Sequence, residues 1–218
     1  MKIQDIFAAS LKIRNELKSK SDYVVNPIDL SLPPVLPYRI SDDIKLIIIG
    51  QDPTVKVQKS RKKIEYTLNL DKRGALRKYI KTICTELGID FENIYATNVF
   101  KYFYSYPPER TMNVIQHHLE KNLQLLKEEI EYYPSAVIIT LGLPVLRLLT
   151  DEHSEVSNFW DYNKINKSTN GNYKYCSLKD NKLSRDFFPM PHQPSLTKLF
   201  YKNNLKSYLA FIKKNTAP

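Results

Sequence analysis

Short apolar runs recur along the chain and alternate with longer amphipathic segments. Residues 46–49 form an unbroken aliphatic run, and 94–99 and 136–141 are two further apolar runs. Such runs are typical of strands that are buried on both faces of a parallel sheet. The first and third runs stop at Gly50 and Gly142, where the backbone is free to turn. We therefore predict three buried strands that lead into loops.

Helices are predicted between these strands from apolar residues spaced three and four apart. The apolar positions between 76 and 87 share one helical face, and Gly88 follows as a C-terminal cap. Segments 115–130, 143–149 and 196–212 have a similar apolar side, and a looser one follows Asp5, a candidate N-terminal cap. Segment 173–178 is a further strand candidate. This order predicts an α/β fold with three layers, α/β/α, around a central, mostly parallel four-stranded sheet.

The remaining segments show neither the continuous apolar runs of the predicted strands nor the three-and-four spacing of the predicted helices. Residues 27–37 contain four prolines and are predicted to run as extended chain over the domain. Residues 56–63 are predicted as a basic surface loop, 64–70 as a short strand or extended piece, and 151–172 as a long loop. We expect one domain over residues 1–218, with an N-terminal helix and proline-rich extension up to residue 40 and a core over 41–213.

The charge of the chain favours a polyanionic partner. The chain has 33 Lys and Arg against 23 Asp and Glu, a formal net charge of +10. This excess favours nucleic acid over a membrane surface, although a lysine-rich composition can also serve solubility alone. Cys84 and Cys176 lack paired spacing, so we expect no zinc site, iron–sulfur cluster or disulfide framework, and a reducing cytoplasm as the location. Charges recur within residues 1–20, which predicts neither a signal peptide nor a membrane span there.

Three polar side chains are predicted at strand ends or on a stiff loop, where open α/β sheets bind ligands. Asp52 follows the first buried strand and precedes Pro53, so it is either a catalytic carboxylate or the cap of a turn. Asn98 ends the second strand and is either a recognition amide with a donor and an acceptor or a turn residue. His192 lies among three prolines, which stiffen the backbone that displays its ring.

The order of these residues resembles the uracil-DNA glycosylase superfamily. Gly50-Gln51-Asp52-Pro53 is similar to the water-activating loop of its best-known branch, and His192-Gln193-Pro194-Ser195-Leu196 is similar to that branch's His-Pro-Ser-Pro-Leu loop. Tyr66 falls where the branch has a base-stacking phenylalanine, and Asn98 ends the strand that carries its uracil-reading asparagine. The similarity covers roughly residues 43–213, and it identifies the chain as a divergent member of this branch.

The resemblance implies a role for each matching residue. Asp52 and His192 would be catalytic: Asp52 would position water and stabilise the cationic sugar, and His192 would donate a hydrogen bond to the uracil oxygen that gains negative charge. The implied base contacts are Gln51, Thr54, Tyr66 and Asn98. The implied DNA contacts are Pro53, Ser195, Leu196, Thr197 and Lys198, with Leu196 as the wedge that fills the vacated stack. The implied partner is DNA that contains uracil or another modified base, and no metal or organic cofactor is expected.

Two departures from the pattern leave the function open. Thr54 stands where the best-known branch has a tyrosine that excludes the methyl group of thymine, and Gln193-Pro194 replaces the Pro-Ser of the second loop. We expect an active glycosylase whose preferred base is undetermined. The alternatives are a non-catalytic DNA-binding protein with the same fold and an unrelated nucleotide-binding α/β protein. A monomer is expected, and a protein inhibitor or replication partner is left open.

Overall fold

The computed structural model has a five-stranded sheet at its centre and describes residues 2–18, 26–39, 41–108, 115–151 and 153–216. The strands in these residues are β1 (Tyr38–Arg39), β2 (Leu46–Gly50), β3 (Ile94–Asn98), β4 (Val137–Leu141), β5 (Tyr162–Asn163), β6 (Ser168–Thr169) and β7 (Phe188–Met190). The central sheet has the order β1-β3-β2-β4-β7, and β5 and β6 form a separate hairpin. Strands β3, β2, β4 and β7 run parallel, whereas β1 is antiparallel to β3.

Strand β2 lies in the middle of the sheet and fixes the register of its neighbours. Ile48 pairs with Ala96 of β3 on one side and with Ile139 of β4 on the other. All five residues of β2 are buried, which explains why a strand with no polar face forms here. Since its neighbours are parallel to it, the carboxyl ends of these strands meet at one edge of the sheet.

Helices cover both faces of this sheet. In the described residues they are α1 (Ile3–Leu17), α2 (Gln58–Arg61), α3 (Ala75–Leu87), α4 (Leu119–Glu131), α5 (Leu143–Leu149), α6 (Val156–Phe159) and α7 (Leu199–Thr216). Helix α3 connects β2 to β3 and α4 connects β3 to β4, so the chain moves in opposite directions across the sheet in these two steps. Right-handed crossovers therefore place α3 and α4 on opposite faces. Helix α3 packs against α7, and α1 packs against α4. Within the described ranges, no helix combines the length and the apolar character that a membrane crossing requires.

The predicted fold class is confirmed, with one strand more than expected. The three buried strands, the helix that ends before Gly88 and the helix after Gly142 form close to their predicted positions. Gly88 has φ +73°, the left-handed conformation of a C-terminal cap. The additional strand is β1, which follows the proline-rich segment. Its two residues are too short to show a period in the sequence.

Several local predictions are wrong. Segment 173–178 has no regular strand and pairs only through Cys176 with Phe187, while the fourth parallel strand is β7. Segment 64–70 is extended at Tyr66, which forms an isolated bridge with Leu36, but it then continues as a 3-10 turn (Thr67–Asn69). The basic segment 56–63 contains α2. Asp5 is not the cap of α1 but lies in its first turn, where its carboxylate accepts a bond from the Lys2 N–H. Residues 19–25 and 40 of the predicted N-terminal extension, and 111–114 before α4, lie outside the described residues.

Arg185 joins the end of α4 to the beginning of β4. Its guanidinium donates to the carbonyl oxygens of Ile130, Tyr133, Pro134 and Ala136 at 2.8–3.1 Å. Carbonyl groups at the end of a helix have no partner within the helix, so a side-chain donor satisfies them here.

We expect Arg185→Met to lower the free energy of unfolding by about 3 kcal/mol, because several partly buried carbonyl groups would lose a charged donor. Urea denaturation followed by circular dichroism measures this change. Lys179→Met is the control, since Lys179 is exposed, and its effect should stay within about 0.5 kcal/mol. Equal losses in the two variants would contradict the role of Arg185.

Candidate active site

A cavity of about 770 Å³ lies at the edge of the sheet where the parallel strands end. The residues that follow β2, β4 and β7 line it, as expected for a ligand site in an open α/β sheet. Among the lining residues are Gln51, Asp52, Thr54, Leu68, His192 and Ser195. The two loops that were singled out in the sequence, 50–54 and 192–196, thus meet at one cavity.

The loop after β2 is attached to the loop after β3. Val99 N–H donates to the Gly50 carbonyl and Phe100 N–H to the Gln51 carbonyl, each at 2.9 Å. The Tyr104 N–H donates to Thr54 Oγ1 at 2.8 Å, so the short side chain of Thr54 is itself a support of the loop. The position of loop 50–54 is therefore set by a second stretch of backbone.

Asp52 is half-buried in the wall of the cavity. Its Oδ1 accepts a hydrogen bond from the Thr54 N–H at 2.7 Å. The sequence left open whether Asp52 caps a turn or is a catalytic carboxylate. In the structure it caps the turn and also lines the cavity. The turn fixes the orientation of the carboxylate, which a group that positions a water molecule requires.

Arg61 gives further support to the same loop from α2. The guanidinium, which is buried, donates to the carbonyl oxygens of Val55, Tyr104 and Ser105 at 2.9–3.1 Å. The sequence placed this residue in a solvated basic loop, and nothing in the local sequence distinguishes it from the exposed lysines beside it.

The side chain of Asn98 is buried, with 1% of its surface exposed. Neither its Oδ1 nor its Nδ2 has a hydrogen-bond partner within the described residues. An unpaired buried amide costs roughly 1–3 kcal/mol, and buried polar groups are rarely left in this state without a reason. Asn98 pairs in register with Gly50, and a Cβ atom at residue 50 would clash with Asn98 Oδ1. The amide therefore lies over Gly50, a residue of the cavity wall.

His192 follows β7 and its side chain is exposed along the cavity. Gly142 has φ +91°, and a Cβ atom there would lie 3.2 Å from the His192 Cβ. The backbone before the histidine is held from two other sides: Tyr79 donates to the Pro191 carbonyl at 3.2 Å, and the Trp160 indole donates to the Pro189 carbonyl at 2.9 Å. The stiffness predicted from the prolines thus comes with additional contacts from distant parts of the chain.

Leu68 lines the cavity, whereas Tyr66 is not among the lining residues. The Tyr66 ring is half-buried and contacts the Tyr38 ring edge-on, with centroids 6.3 Å apart. Leu68 has φ +58°, and its Cδ2 would lie 2.9 Å from a Cβ atom on Gly50. The sequence missed Leu68 because leucine gives no sign that the backbone will adopt a left-handed conformation.

The second loop contributes some of the predicted side chains to the cavity. Ser195 and Lys198 line it, and so does Pro53 from the first loop. Leu196 is half-buried and packs against the core, and the Thr197 hydroxyl donates to the Pro194 carbonyl at 2.9 Å. Leu199, which the sequence analysis placed on the apolar side of the last helix, is 71% exposed.

The chain matches the family model of the uracil DNA glycosylase superfamily over residues 37–214. It belongs to this superfamily. A comparison with curated proteins gave no match. Membership in the superfamily supports a base-excision function of the glycosylase kind with DNA as the partner.

The cavity is also lined by basic and aromatic residues that the sequence analysis did not predict as site residues. Lys72 and Arg73 precede α3, Arg77 lies in its first turn, and Tyr201 comes from α7. Burial raises the pKa of Tyr201 to about 12, and the negative charge of Glu155 adds to this effect, so the phenol is a neutral donor at neutral pH. The sequence pointed to 56–63 as the basic segment beside the crevice and missed these residues.

We expect Gly142→Ala to displace His192, because the new methyl group would press on its Cβ. Gly171→Ala is the matched control: Gly171 has φ +84°, but a Cβ there meets nothing within 4 Å. Both variants should lose about 1–2 kcal/mol through backbone strain. Only Gly142→Ala should move the NMR signals of the His192 ring, assigned with His192→Gln. Unchanged ring signals in Gly142→Ala would contradict the close contact.

Proposed function

We propose that the protein is a DNA base-excision glycosylase, which hydrolyses the N-glycosidic bond of a flipped uracil or related modified base and leaves an abasic site. The observation that carries this proposal is the unpaired Asn98 amide. Asn98 is not among the described residues that line the cavity, but its buried amide lies against Gly50, which lines the cavity together with Asp52 and His192. A buried donor and acceptor without partners fit a ligand that presents one of each.

Base recognition is assigned to the residues around Gly50. The Watson–Crick edge of uracil offers an N–H and carbonyl oxygens, which would pair with Asn98 Oδ1 and Nδ2 and remove the cost of their burial. Leu68 is placed to cover one face of the base, the role that the resemblance implied for Tyr66. Gln51 would contribute contacts from its backbone.

Hydrolysis is assigned to Asp52 and His192. Asp52 would position a water molecule whose oxygen bonds to C1′ of the sugar, and its negative charge would stabilise the cationic sugar as the bond opens. The electron pair of the broken bond leaves with the base, and His192 would donate a hydrogen bond to the base oxygen that gains negative charge. The proton that the water loses would pass to the Asp52 carboxylate, and the released base would finally take up one proton. Removal of a preorganised donor of this kind costs about 100- to 1,000-fold in rate.

DNA binding is assigned to the rim of the cavity. Ser195, Lys198, Lys72 and Arg73 line the cavity and would contact phosphates on either side of the flipped nucleotide. Thr197 belongs to the same loop. Leu199 is more accessible than Leu196 for filling the space that the base leaves in the stack. We propose that the protein acts as a monomer in the cytoplasm, where the DNA of a cell without a nucleus lies.

The first test is cleavage of labelled duplex and single-stranded oligonucleotides that carry one uracil, hypoxanthine, xanthine or mismatched thymine. Alkali treatment then reveals abasic sites. We expect an abasic product from the wild type and a loss of more than about 100-fold in Asp52→Asn, with DNA binding retained on a gel. Asp90→Asn is the control for loss of an exposed carboxylate that does not line the cavity. DNA binding without any product from the wild type would instead favour the non-catalytic alternative.

Thr54 is expected to set the range of bases. Its side chain is smaller than the tyrosine that excludes thymine in the best-known branch, so the wild type should also process thymine opposite guanine. Thr54→Tyr should reduce thymine cleavage by at least about 10-fold relative to uracil cleavage. Thr54→Ser, which keeps the hydroxyl acceptor for the Tyr104 N–H, should retain both activities. An unchanged thymine-to-uracil ratio in Thr54→Tyr would contradict this assignment.

A further inference from the structure

The Asn98 amide makes no hydrogen bond of its own within the described residues, so its position depends on the backbone that carries it. The backbone of Asn98 is paired with Gly50 of β2, and this pairing restrains the end of β3 on the side that faces β2. The carbonyl group of Asn98 is held separately, by a side chain three residues further along the chain. That side chain lies outside the cavity and belongs to Lys101.

Lys101 is a fully buried lysine whose ammonium group has two fixed partners. Its Nζ donates to the Asn98 carbonyl at 2.9 Å and forms an ion pair with Glu129 Oε1 at 2.5 Å. Exposed fractions of 1% for Lys101 and 0% for the Glu129 side chain leave no room for solvent at this pair. The pair therefore links the last residue of β3 to the last turns of α4.

Glu129 holds the strand itself through its other carboxylate oxygen. Glu129 Oε2 accepts from the Tyr95 hydroxyl at 2.7 Å and from the Thr97 hydroxyl at 2.8 Å. Burial, together with the negative charge of Glu129, raises the pKa of Tyr95 well above its usual value, so the phenol remains a donor. One carboxylate thus fixes two residues of β3 directly and the carbonyl of Asn98 through Lys101.

Stability alone is a weak reason for such a pair. Replacing a buried ion pair by apolar residues of similar volume is often neutral or stabilising, because each ion loses its hydration. The geometry gives another reason: the ammonium group holds the main chain of Asn98, whose buried amide is unpaired within the described residues.

We propose that Lys101 and Glu129 are positioning residues that fix the Asn98 amide for base recognition. This inference rests on the proposed function for its consequence in catalysis, but the positioning itself can be measured without cleavage. A loss of the pair should leave the fold in place and loosen the backbone at the end of β3. The amide would then spend less time in the orientation that matches the base.

The test uses the full chain with the double substitution Lys101→Met and Glu129→Gln. The glutamine keeps an acceptor for Tyr95 and Thr97, and neither residue leaves a buried charge. We expect an altered position for the two Asn98 side-chain amide cross-peaks in ¹⁵N NMR spectra, assigned with Asn98→Ala. Binding of free uracil and kcat/KM for a uracil oligonucleotide should fall by about 10- to 100-fold, as expected for a misplaced contact group.

A double-mutant cycle separates positioning from general loosening. If the pair acts through Asn98, adding Lys101→Met and Glu129→Gln to Asn98→Ala should lower kcat/KM by no more than about 2-fold. Asn122→Leu is the matched control. Asn122 is also buried on α4, and its amide donates to the Tyr102 hydroxyl at 2.9 Å and to the His118 carbonyl at 2.7 Å rather than to the backbone of β3. Its effect should add to that of Asn98→Ala and leave the Asn98 cross-peaks in place.

Two results would overturn the proposal: unchanged Asn98 cross-peaks in the double variant, or a full additive loss in the cycle. If the double variant does not fold, Lys101→Met alone serves, since Glu129 then keeps its hydrogen bonds from the Tyr95 and Thr97 hydroxyls while the donor to the Asn98 carbonyl is lost, and the same cross-peaks should shift. If the wild type cleaves no base, the proposed function fails, and the cross-peaks of the unliganded protein still decide whether the pair positions Asn98.

Discussion

The structure of the site depends on the backbone bonding between β2 and β3, which continues beyond the ends of both strands. The carbonyl groups of Gly50 and Gln51 accept hydrogen bonds from the N–H groups of Val99 and Phe100. Gln51, Val99 and Phe100 lie just beyond the ends of the two strands. The loop with Asp52 and the strand end with Asn98 are therefore parts of one hydrogen-bonded unit. The proposed hydrolysis and base recognition would need a fixed relative position of these two parts, and this backbone bonding contributes to it together with the side chains of Thr54, Arg61 and Lys101.

The fold was predictable where burial alone decides the local structure. Strand β2 has apolar residues on both faces, and this composition fits only the middle of a sheet that helices cover on both sides. Helix α3 was equally clear, because its buried positions share one face and Gly88 ends it in a left-handed conformation. The error at 173–178 arose because tyrosine and cysteine suit a strand, whereas the partner that decides pairing, Phe187, is distant in sequence.

The candidate site divides in a similar way. Asp52, Asn98 and His192 could be found because each follows a strand or lies among prolines, and both are local signals. Leu68 could not be found, and Gly142 was recognised only as the end of a strand, since the importance of both comes from positive φ angles and from close approach to residues far away in the chain. Lys101 was visible only as a charge within an aromatic segment. Its partner Glu129 lies on another element, and only the packing of α4 against β3 brings the two together.

Thr54 combines two tasks in a single small side chain, and this restricts how the protein can evolve. Its hydroxyl supports the loop by accepting the Tyr104 N–H, and in the proposed function its size would determine how much room the base has. A substitution that narrows the site therefore also removes an acceptor that the neighbouring loop uses. The effect of a substitution at residue 54 would therefore depend on the residues around Tyr104. Such a substitution would persist in a lineage only together with a second change that gives the Tyr104 N–H another acceptor.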